Sequence, residues 1–400
     1  MLTEQPFSGL VVLELASVLA GPSVGQFFAE LGATVIKIEN TGTRGDVTRQ
    51  WKARTEDPET DISAYFSCAN WGKRSVALDL KKPAALQILH KLVAQADIVV
   101  ASYKPGDAEK LQVDYKTLSE INPKLLYGHI TGYGPENPRA GYDAVIQAES
   151  GIMYLNGEPD GLPTKMPVAF VDLFAAHQLK EGLLTALYLR EKTGKGQLVQ
   201  ISLLDAALTS LANQGTNYLV AGFEPERAGS EHPNIVPYGT IFTTSDQKQL
   251  ILAIGDDRQF RNLCLILSAP EIAEDALFSK NSARVKNRLV LNQKLKMLIA
   301  GFTLEYLLTE FEKRFVPAGA VRSVSEALSG EAAKALQLRT EQAEKALSGL
   351  KTVAFRLSKV GNEVLLPPPH YAEHTREVLL EFAGMDHEGL QNLQAAGIIQ

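Results

Sequence analysis

The chain has 400 residues, 45% of them hydrophobic and 22% charged, with a formal net charge of −6. These are ordinary globular proportions with length enough for a sizeable core, and the acidic balance speaks against a general nucleic-acid binder. Two cysteines, Cys68 and Cys264, are too few and too far apart for a disulfide framework or a zinc site, and no run approaches the about 18 apolar residues of a membrane span. The N-terminal residues show no signal-peptide pattern, so a reducing, cytoplasmic setting without membrane or nucleic-acid partners is expected.

Strand and helix patterns alternate from the start. Leu10 to Leu15 is a short apolar run, and the loop Ala16 to Pro22 leads into Ser23–Leu31. That segment sets Val24, Phe27, Phe28 and Leu31 on one helical face, with Ser23 as N-cap and Gly32 as terminator. Strands are predicted at Thr34–Ile38, Val76–Leu80, Ile98–Val100 and Leu125–Ile130, and a helix from Pro83 to Gln95. Strands spaced by such helices imply βαβ units and a parallel sheet. A long helix starts at or just after Asp172 and runs to about Lys192, where Thr193-Gly194-Lys195-Gly196 signals a turn. A strand at Leu198–Ser202 and a helix at Leu203–Val220 follow. Gly222 to Gly239, rich in Pro, Gly, Glu and Asn, reads as a linker. Strands at Thr240–Thr244 and Leu250–Ile254 and helices near Arg258–Leu267, Arg284–Ala300 and Leu304–Phe315 read as a smaller α+β domain. The tail adds a hairpin (Thr352–Leu357 with Glu363–Leu366), a Pro367-Pro368-Pro369 break, and helices at Thr375–Phe382 and Asp386–Ala395.

Motifs for several common chemistries are missing. The first strand-to-helix turn reads A-G-P-S-V-G, Ala20 to Gly25, rather than the G-x-G-x-x-G of a dinucleotide cradle. There is no Walker A and no G-x-S-x-G elbow. His370 and His374 have the spacing of an inverted zinc motif, but His370 directly follows the proline run and no third ligand is evident, so no metal is expected. Basic residues gather in three places: Arg44, Arg49, Lys52 and Arg54; Lys73, Arg74, Lys81 and Lys82; Lys104 and Lys110. Such clusters either solvate a face or hold a polyphosphate, and Tyr103 beside Lys104 adds a surface on which a base could stack. Asp172 stands between the apolar runs Val168-Ala169-Phe170-Val171 and Leu173-Phe174-Ala175-Ala176. A carboxylate so placed is either a helix N-cap or a partly desolvated functional group.

Ten segments carry a resemblance. They are L-A-S-V-L-A-G-P (Leu15–Pro22), L-G-A-T-V-I-K-I-E (Leu31–Glu39), G-D-V-T-R (Gly45–Arg49), N-W-G-K-R-S-V-A-L-D-L-K (Asn70–Lys81) and A-D-I-V-V (Ala96–Val100), followed by I-T-G-Y-G-P (Ile130–Pro135), G-Y-D-A-V-I-Q-A-E-S-G (Gly141–Gly151), T-G-K-G-Q (Thr193–Gln197), H-P-N-I-V-P-Y (His232–Tyr238) and A-E-H-T-R-E-V-L (Ala372–Leu379). In this order, over the whole chain, they resemble the class III CoA-transferases, the family of formyl-CoA transferase, carnitine CoA-transferase and α-methylacyl-CoA racemase.

The resemblance implies that Asp172, at the family nucleophile's place, attacks the thioester carbonyl of an acyl-CoA. A mixed anhydride and then an aspartyl-CoA thioester follow, and an acceptor carboxylate takes over the CoA. It implies Val18, Leu19 and Ala20 by the pantetheine, and Asn40, Leu78, Lys81, Ser102, Tyr103, Lys104 and Lys110 around the adenosine and phosphates. It sets Tyr142 by the thioester and Arg139 one residue off a family lysine position. It further implies no permanently bound cofactor, the coenzyme A thioester as substrate, and an acyl-CoA and a carboxylic acid as partners. The implied fold is α/β, a Rossmann-like large domain with a parallel sheet plus a smaller α+β domain, in an interlocked homodimer. The divisions expected are 1–205 for the first part of the large domain, 206–239 for a linker, 240–322 for the small domain, and 323–400 for a linker and a C-terminal return to the large domain.

Three departures shape the substrate expectation. Asn234–Tyr238 replaces the glycine-rich loop of formyl-CoA transferase, which disfavours oxalate and formate and favours succinyl-CoA with dicarboxylic acceptors. Asn40 stands where some transferases have Arg, so one phosphate contact is missing or moved to Arg49. Tyr142 stands where the racemase branch has His, and with an unperturbed pKa of about 10 it is a poor base. Asp172 and Asp256 keep a 2-methylacyl-CoA racemase as the alternative, with a non-catalytic acyl-CoA-binding protein as the other.

Overall fold

Strands that are apolar on both sides are stable only when helices cover both faces of their sheet. The computed structural model describes residues 5–340, 347–358, 360–361 and 365–400 and obeys that rule. Strands β1 (Val11–Leu15), β2 (Thr34–Asn40), β3 (Lys73–Leu78), β4 (Ile98–Ala101), β5 (Leu126–Thr131) and β6 (Gln197–Ser202) form one parallel sheet in the order β3-β2-β1-β4-β5-β6. This is a Rossmann-like order, and its reversal between β1 and β4 makes a crevice outside the C-terminal strand ends. The helices that matter below are α1 (Ala20–Glu30), α2 (Pro83–Val93), α3 (Asp143–Glu149) and α4 (Phe170–Thr193). On one face Val12, Val35 and Leu126 pack with Val24, Phe27 and Phe28 of α1 and Val171, Leu179 and Leu183 of α4. On the other, Leu13, Ile36 and Val99 pack with Ile88, Leu89 and Leu92 of α2 and with Val378 and Leu379 of the helix Thr375–Phe382. The C-terminal tail is thereby part of the first core. The Ala77 N–H donates to Thr375 Oγ1 at 3.1 Å, and Leu78 bridges Ile399.

Contacts divide the chain into two units: Met1–Ile152, Lys165–Ala221 and Ala335–Gln400 in the first, and Met153–Thr164 with Gly222–Lys334 in the second. The second unit is built on an antiparallel sheet, β7 (Tyr238–Thr243), β8 (Gln249–Ala253) and β9 (Ala318–Ala320). Two of its strands were expected; the third, A-G-A, is too short to carry a period. Among the described residues no helix is long and apolar enough to cross a membrane.

Several boundaries differ from expectation for physical reasons. α1 begins at Ala20, and Ser23 is buried inside it rather than capping it. Pro22 lies in the first turn, where its missing N–H would have had no partner anyway, so the helix can start before it. Gly25 is needed there, because a Cβ would lie 2.0 Å from Glu14 Oε2. The helix expected over Leu203–Val220 breaks into Leu203–Thr209 and Ala212–Ala221. Thr209 and Ser210 hydroxyls bond back to the Asp205 and Ala206 carbonyls, which competes with the helix. The tail hairpin pairs β10 (Gln337–Thr340) with β11 (Leu347–Leu350). Thr352–Leu357 is not a strand, and of its expected partner, Glu363 and Val364 lie outside the described residues.

The loop Asn234–Tyr238 is tied down by side chains of two successive helices, Asn281–Lys286 and Arg288–Ile299. Asn281 Nδ2 donates to the Asn234 carbonyl at 2.8 Å, Arg284 Nε to the Val236 carbonyl at 2.7 Å, and Arg288 Nη2 to the Pro233 carbonyl at 2.8 Å. Arg284 is fully buried; it also pairs with Asp257 at 3.0 Å and lies 4.4 Å from the Phe260 ring centroid. Arg284→Ala should cost the second unit ~3 kcal/mol, because the carbonyls of Val236 and Phe278 lose their buried donor and a cavity opens. Amide exchange across residues 234–238 reads that loss directly; unchanged protection would refute the tie.

Candidate active site

Asp172 is the third residue of α4, so it does not cap that helix. The N-cap is Ala169, with no side-chain bond of its own. The cap comes instead from Asp143, at the start of α3. Its Oδ1 accepts the Val171 N–H at 3.0 Å, and its Oδ2 accepts from Gln147 Nε2 at 2.7 Å. The Asp172 carboxylate is left without a hydrogen bond or ion pair to any described side chain. Burial, reinforced by the negative charge of Asp143, pushes its pKa up to about 7. Tyr65 shares this neighbourhood. Burial, then the nearby Asp172, Cys68, Asp143 and Asp46, raise its hydroxyl to about 12, so it is a neutral hydrogen-bond donor. Tyr142 precedes α3 and is 68% exposed.

A groove of about 610 Å³ opens at the C-terminal ends of β1 to β4, where the strand order predicts one. It brings together Asn40, Leu78, Lys81, Ser102 and Tyr103 from three strand ends, with Ala16, Lys37, Glu39 and Asp46 along its wall. Asn40 Oδ1 accepts the Gly42 N–H at 2.8 Å and so shapes the turn after β2. The Tyr103 carbonyl is held by His129 Nε2 at 3.1 Å, which puts the ring proton on that nitrogen. Val18, Leu19 and Ala20 form the turn into α1; Leu19 and Ala20 are buried.

Other sequence candidates stand elsewhere. Lys104 is exposed and off the groove wall, Lys110 pairs with Asp107 at 3.1 Å, and Leu111 lines the groove in its place. Arg139 forms an ion pair with Glu149 at 2.5 Å and stacks 4.2 Å from the Tyr133 ring centroid. Arg49 cannot replace the missing arginine at position 40. It is buried, both Nε and Nη2 are taken by Glu39, and Nη1 donates to the carbonyls of Asp61 and Pro369. Most of the remaining basic cluster is likewise taken by partners within the chain, at the surface or beneath it. Lys73 pairs with buried Glu14, Arg74 with Glu381, Lys52 donates to three carbonyls, and Lys82 to those of Ala396 and Gly397. Asp256 caps the helix Asp257–Ile266. His370 pairs with Asp61, whereas His374 precedes the helix Thr375–Phe382 and faces the Ser75 N–H. Among the described residues no three His, Cys, Asp or Glu are grouped to hold a metal ion. Asp143, Tyr65, Asp46 and His129 were not singled out from the sequence. Asp143 and Asp46 did lie inside the quoted segments G-Y-D and G-D-V-T-R, but only tertiary contact gives them partners.

Comparison with known proteins adds to this geometry. Residues 7–375 match CoA-transferase family III. The succinate–glutarate CoA-transferase of Agrobacterium fabrum is 39% identical over 94% of this chain and 95% of its own length. The succinyl-CoA:glutarate CoA-transferase of Mus musculus is 34% identical over 99% and 91%. A CAIB/BAIF family protein from Brucella suis superposes with a TM-score of 0.84 at 38% identity, covering 95% of this chain and all of that one. With relatives at this identity over nearly the whole length, the protein is a CoA-transferase. The chain belongs to CoA-transferase family III.

Proposed function

We propose that this chain moves CoA from succinyl-CoA to a dicarboxylic acid, glutarate being the first acceptor to try, by covalent catalysis at Asp172. The observation that carries the reading is the Asp172 carboxylate itself, partly withdrawn from water and without a hydrogen-bond or ion-pair partner among the described residues. A carboxylate that only stabilised the fold would be bonded, as Asp143 is. The names of the relatives support the donor and acceptor, and the tethered Asn234–Tyr238 loop in place of a glycine-rich one agrees with them.

In this reading Asp172 attacks the thioester carbonyl and expels CoA thiolate, leaving an acyl-aspartyl anhydride. The thiolate attacks the aspartyl carbonyl, releases succinate and forms the aspartyl-CoA thioester. The acceptor carboxylate attacks that thioester, and the freed thiolate then attacks the acceptor's acyl carbon, regenerating Asp172. Tyr65, neutral at working pH, is a donor for the oxyanions of these steps. Lys81 and the Ser102–Tyr103 turn would take the nucleotide end of CoA.

The test is incubation with a panel of acyl-CoAs and free acids, followed by mass spectrometry of new CoA esters. Glutaryl-CoA forming as succinyl-CoA disappears is expected; no new ester from any dicarboxylic acid would refute the substrate assignment. Only ionised Asp172 attacks, so kcat/KM should rise with pH through about 7 and level off above it. Asp143→Asn should lower that midpoint but leave most of the shift in place, because burial is the larger cause.

A homodimer belongs to the same proposal. Tyr188 of α4 is 61% exposed, and Leu219 and Val220 of the helix Ala212–Ala221 are 82% and 80% exposed, large apolar side chains that a second copy of the chain would cover. Mass photometry at nanomolar concentration checks it, and a well-folded monomer there would sink it.

A further inference from the structure

A cluster of buried charges lies beneath the turn from β1 to α1 and grips its backbone at three points. Glu14 is wholly buried, and its two oxygens take the ammonium groups of Lys37 at 2.9 Å and Lys73 at 2.7 Å. Lys37 donates onward to the Ala16 carbonyl at 3.0 Å and pairs with Asp46 at 3.0 Å. Lys73 donates to the Pro22 carbonyl at 2.9 Å. Between these two anchors, the Val18 N–H donates to the Asp46 carboxylate, 3.3 and 3.2 Å from its two oxygens. Asp46 is itself immobilised, because it accepts from the Thr48 N–H and hydroxyl and its own N–H donates to Glu39.

Val18 has a φ of +71°. A β-branched residue is a rare occupant of the left-handed region, because its Cβ crowds the following carbonyl. Such a conformation persists only where its surroundings impose it, and it gathers at functional sites. Here the imposing contact is Asp46. The gripped turn forms one edge of the groove through Ala16 and Ser17 and leads straight into the first turn of α1. Buried pairs that merely stabilise a sheet have no need to hold a neighbouring valine in a strained turn.

We propose that Asp46 is a positioning residue for CoA transfer: oriented by Lys37, it holds Val18 in the left-handed turn and so fixes the backbone of residues 16–20 at the edge of the groove. The proposal rests on the covalent reading of Asp172.

The test is a double-mutant cycle with Val18→Gly, since glycine adopts a φ of this sign without strain. In the wild-type background Asp46→Asn should lower kcat for exchange between succinyl-CoA and glutarate by about 20-fold or more, with KM for succinyl-CoA changed by less than about threefold. In the Val18→Gly background the same substitution should cost less than about fivefold. Amide exchange at residues 18–20, followed by mass spectrometry, should quicken at least about tenfold in Asp46→Asn. Should Asp46→Asn fail to fold, Thr48→Val, which removes one donor to Asp46, is read in the same way. A full-sized defect in both backgrounds, or an active wild type that Asp46→Asn leaves unaltered, overturns this proposal alone. A wild type with neither exchange nor an adduct at Asp172 overturns the covalent reading and this proposal with it.

Discussion

Asp172→Asn should slow CoA exchange by about 10³-fold or more while leaving the protein folded and able to bind CoA. The amide cannot form the anhydride, and it removes no cap, because Asp143 serves that purpose. The same substitution should stabilise the protein at alkaline pH. The native pKa of Asp172 is raised to about 7, from an ordinary value of about 3.9. Between those values the native state holds a proton that the unfolded chain has released. Stability therefore falls as pH rises from about 4, and the loss is complete above about 7. Asparagine escapes that loss, which linkage sets at up to ~4 kcal/mol and the remaining solvent contact of the carboxylate reduces to ~2. Thermal melts of the two proteins should diverge between pH 5 and pH 8. A bound thioester at Asp172, trapped by hydroxylamine as a hydroxamate or by borohydride as an alcohol, is the chemical counterpart. Near-normal exchange by Asp172→Asn, with no adduct on that peptide, would refute the mechanism.

Glu14→Ala should be the most damaging substitution in the sheet, at ~3–5 kcal/mol. It leaves two buried ammonium groups facing each other. Lys37 keeps Asp46 and the Ala16 carbonyl, but Lys73 keeps only neutral acceptors, Pro22 O and Asn70 Oδ1. Burial already outweighs Glu14 at Lys73 and pulls its pKa down to about 8. Burial also opposes the charge on Lys37, yet Glu14, Asp46 and Glu39 together hold its pKa above the ordinary lysine value. Without Glu14, Lys73 should fold only in its neutral form. The unfolded chain keeps that proton up to about pH 10.4, so the deficit should shrink as pH rises from 7 to 9. Urea unfolding at the two pH values measures it, and equal deficits at both would mean that Lys73 is not the group left stranded.

The parallel sheet was legible because β1, β2, β4 and β5 are short, mainly apolar runs bounded by turn residues, and those are local properties. So was α4, whose length and terminal Thr193-Gly194-Lys195-Gly196 signal need no partner. The β10–β11 hairpin was not, because neither arm is more than four residues and their pairing is set by packing. Leu203–Val220 reads as one helix by period, but the chain breaks it at Ala212, whose φ is +46°, just after the back-bonding hydroxyls of Thr209 and Ser210.

For the site, the apolar flanks and the match to a family motif bring Asp172 forward without any coordinates. Its charge state is another matter. That depends on burial and on Asp143, 29 positions earlier in the chain, and no spacing rule connects the two. The basic clusters show the same limit. Composition counts Lys73, Arg49, Lys52 and Lys81 as equal cations, yet the fold spends the first three on internal partners and leaves Lys81 on the groove wall. Local sequence governs which backbone conformations are cheap and which faces are apolar, and that suffices for the strands, the long helix and the family. Desolvation and ion pairing are summed over neighbours brought together by the whole chain, so the protonation of Asp172, the grip on Val18 and the place of Lys81 on the groove wall exist only once the sheet has closed.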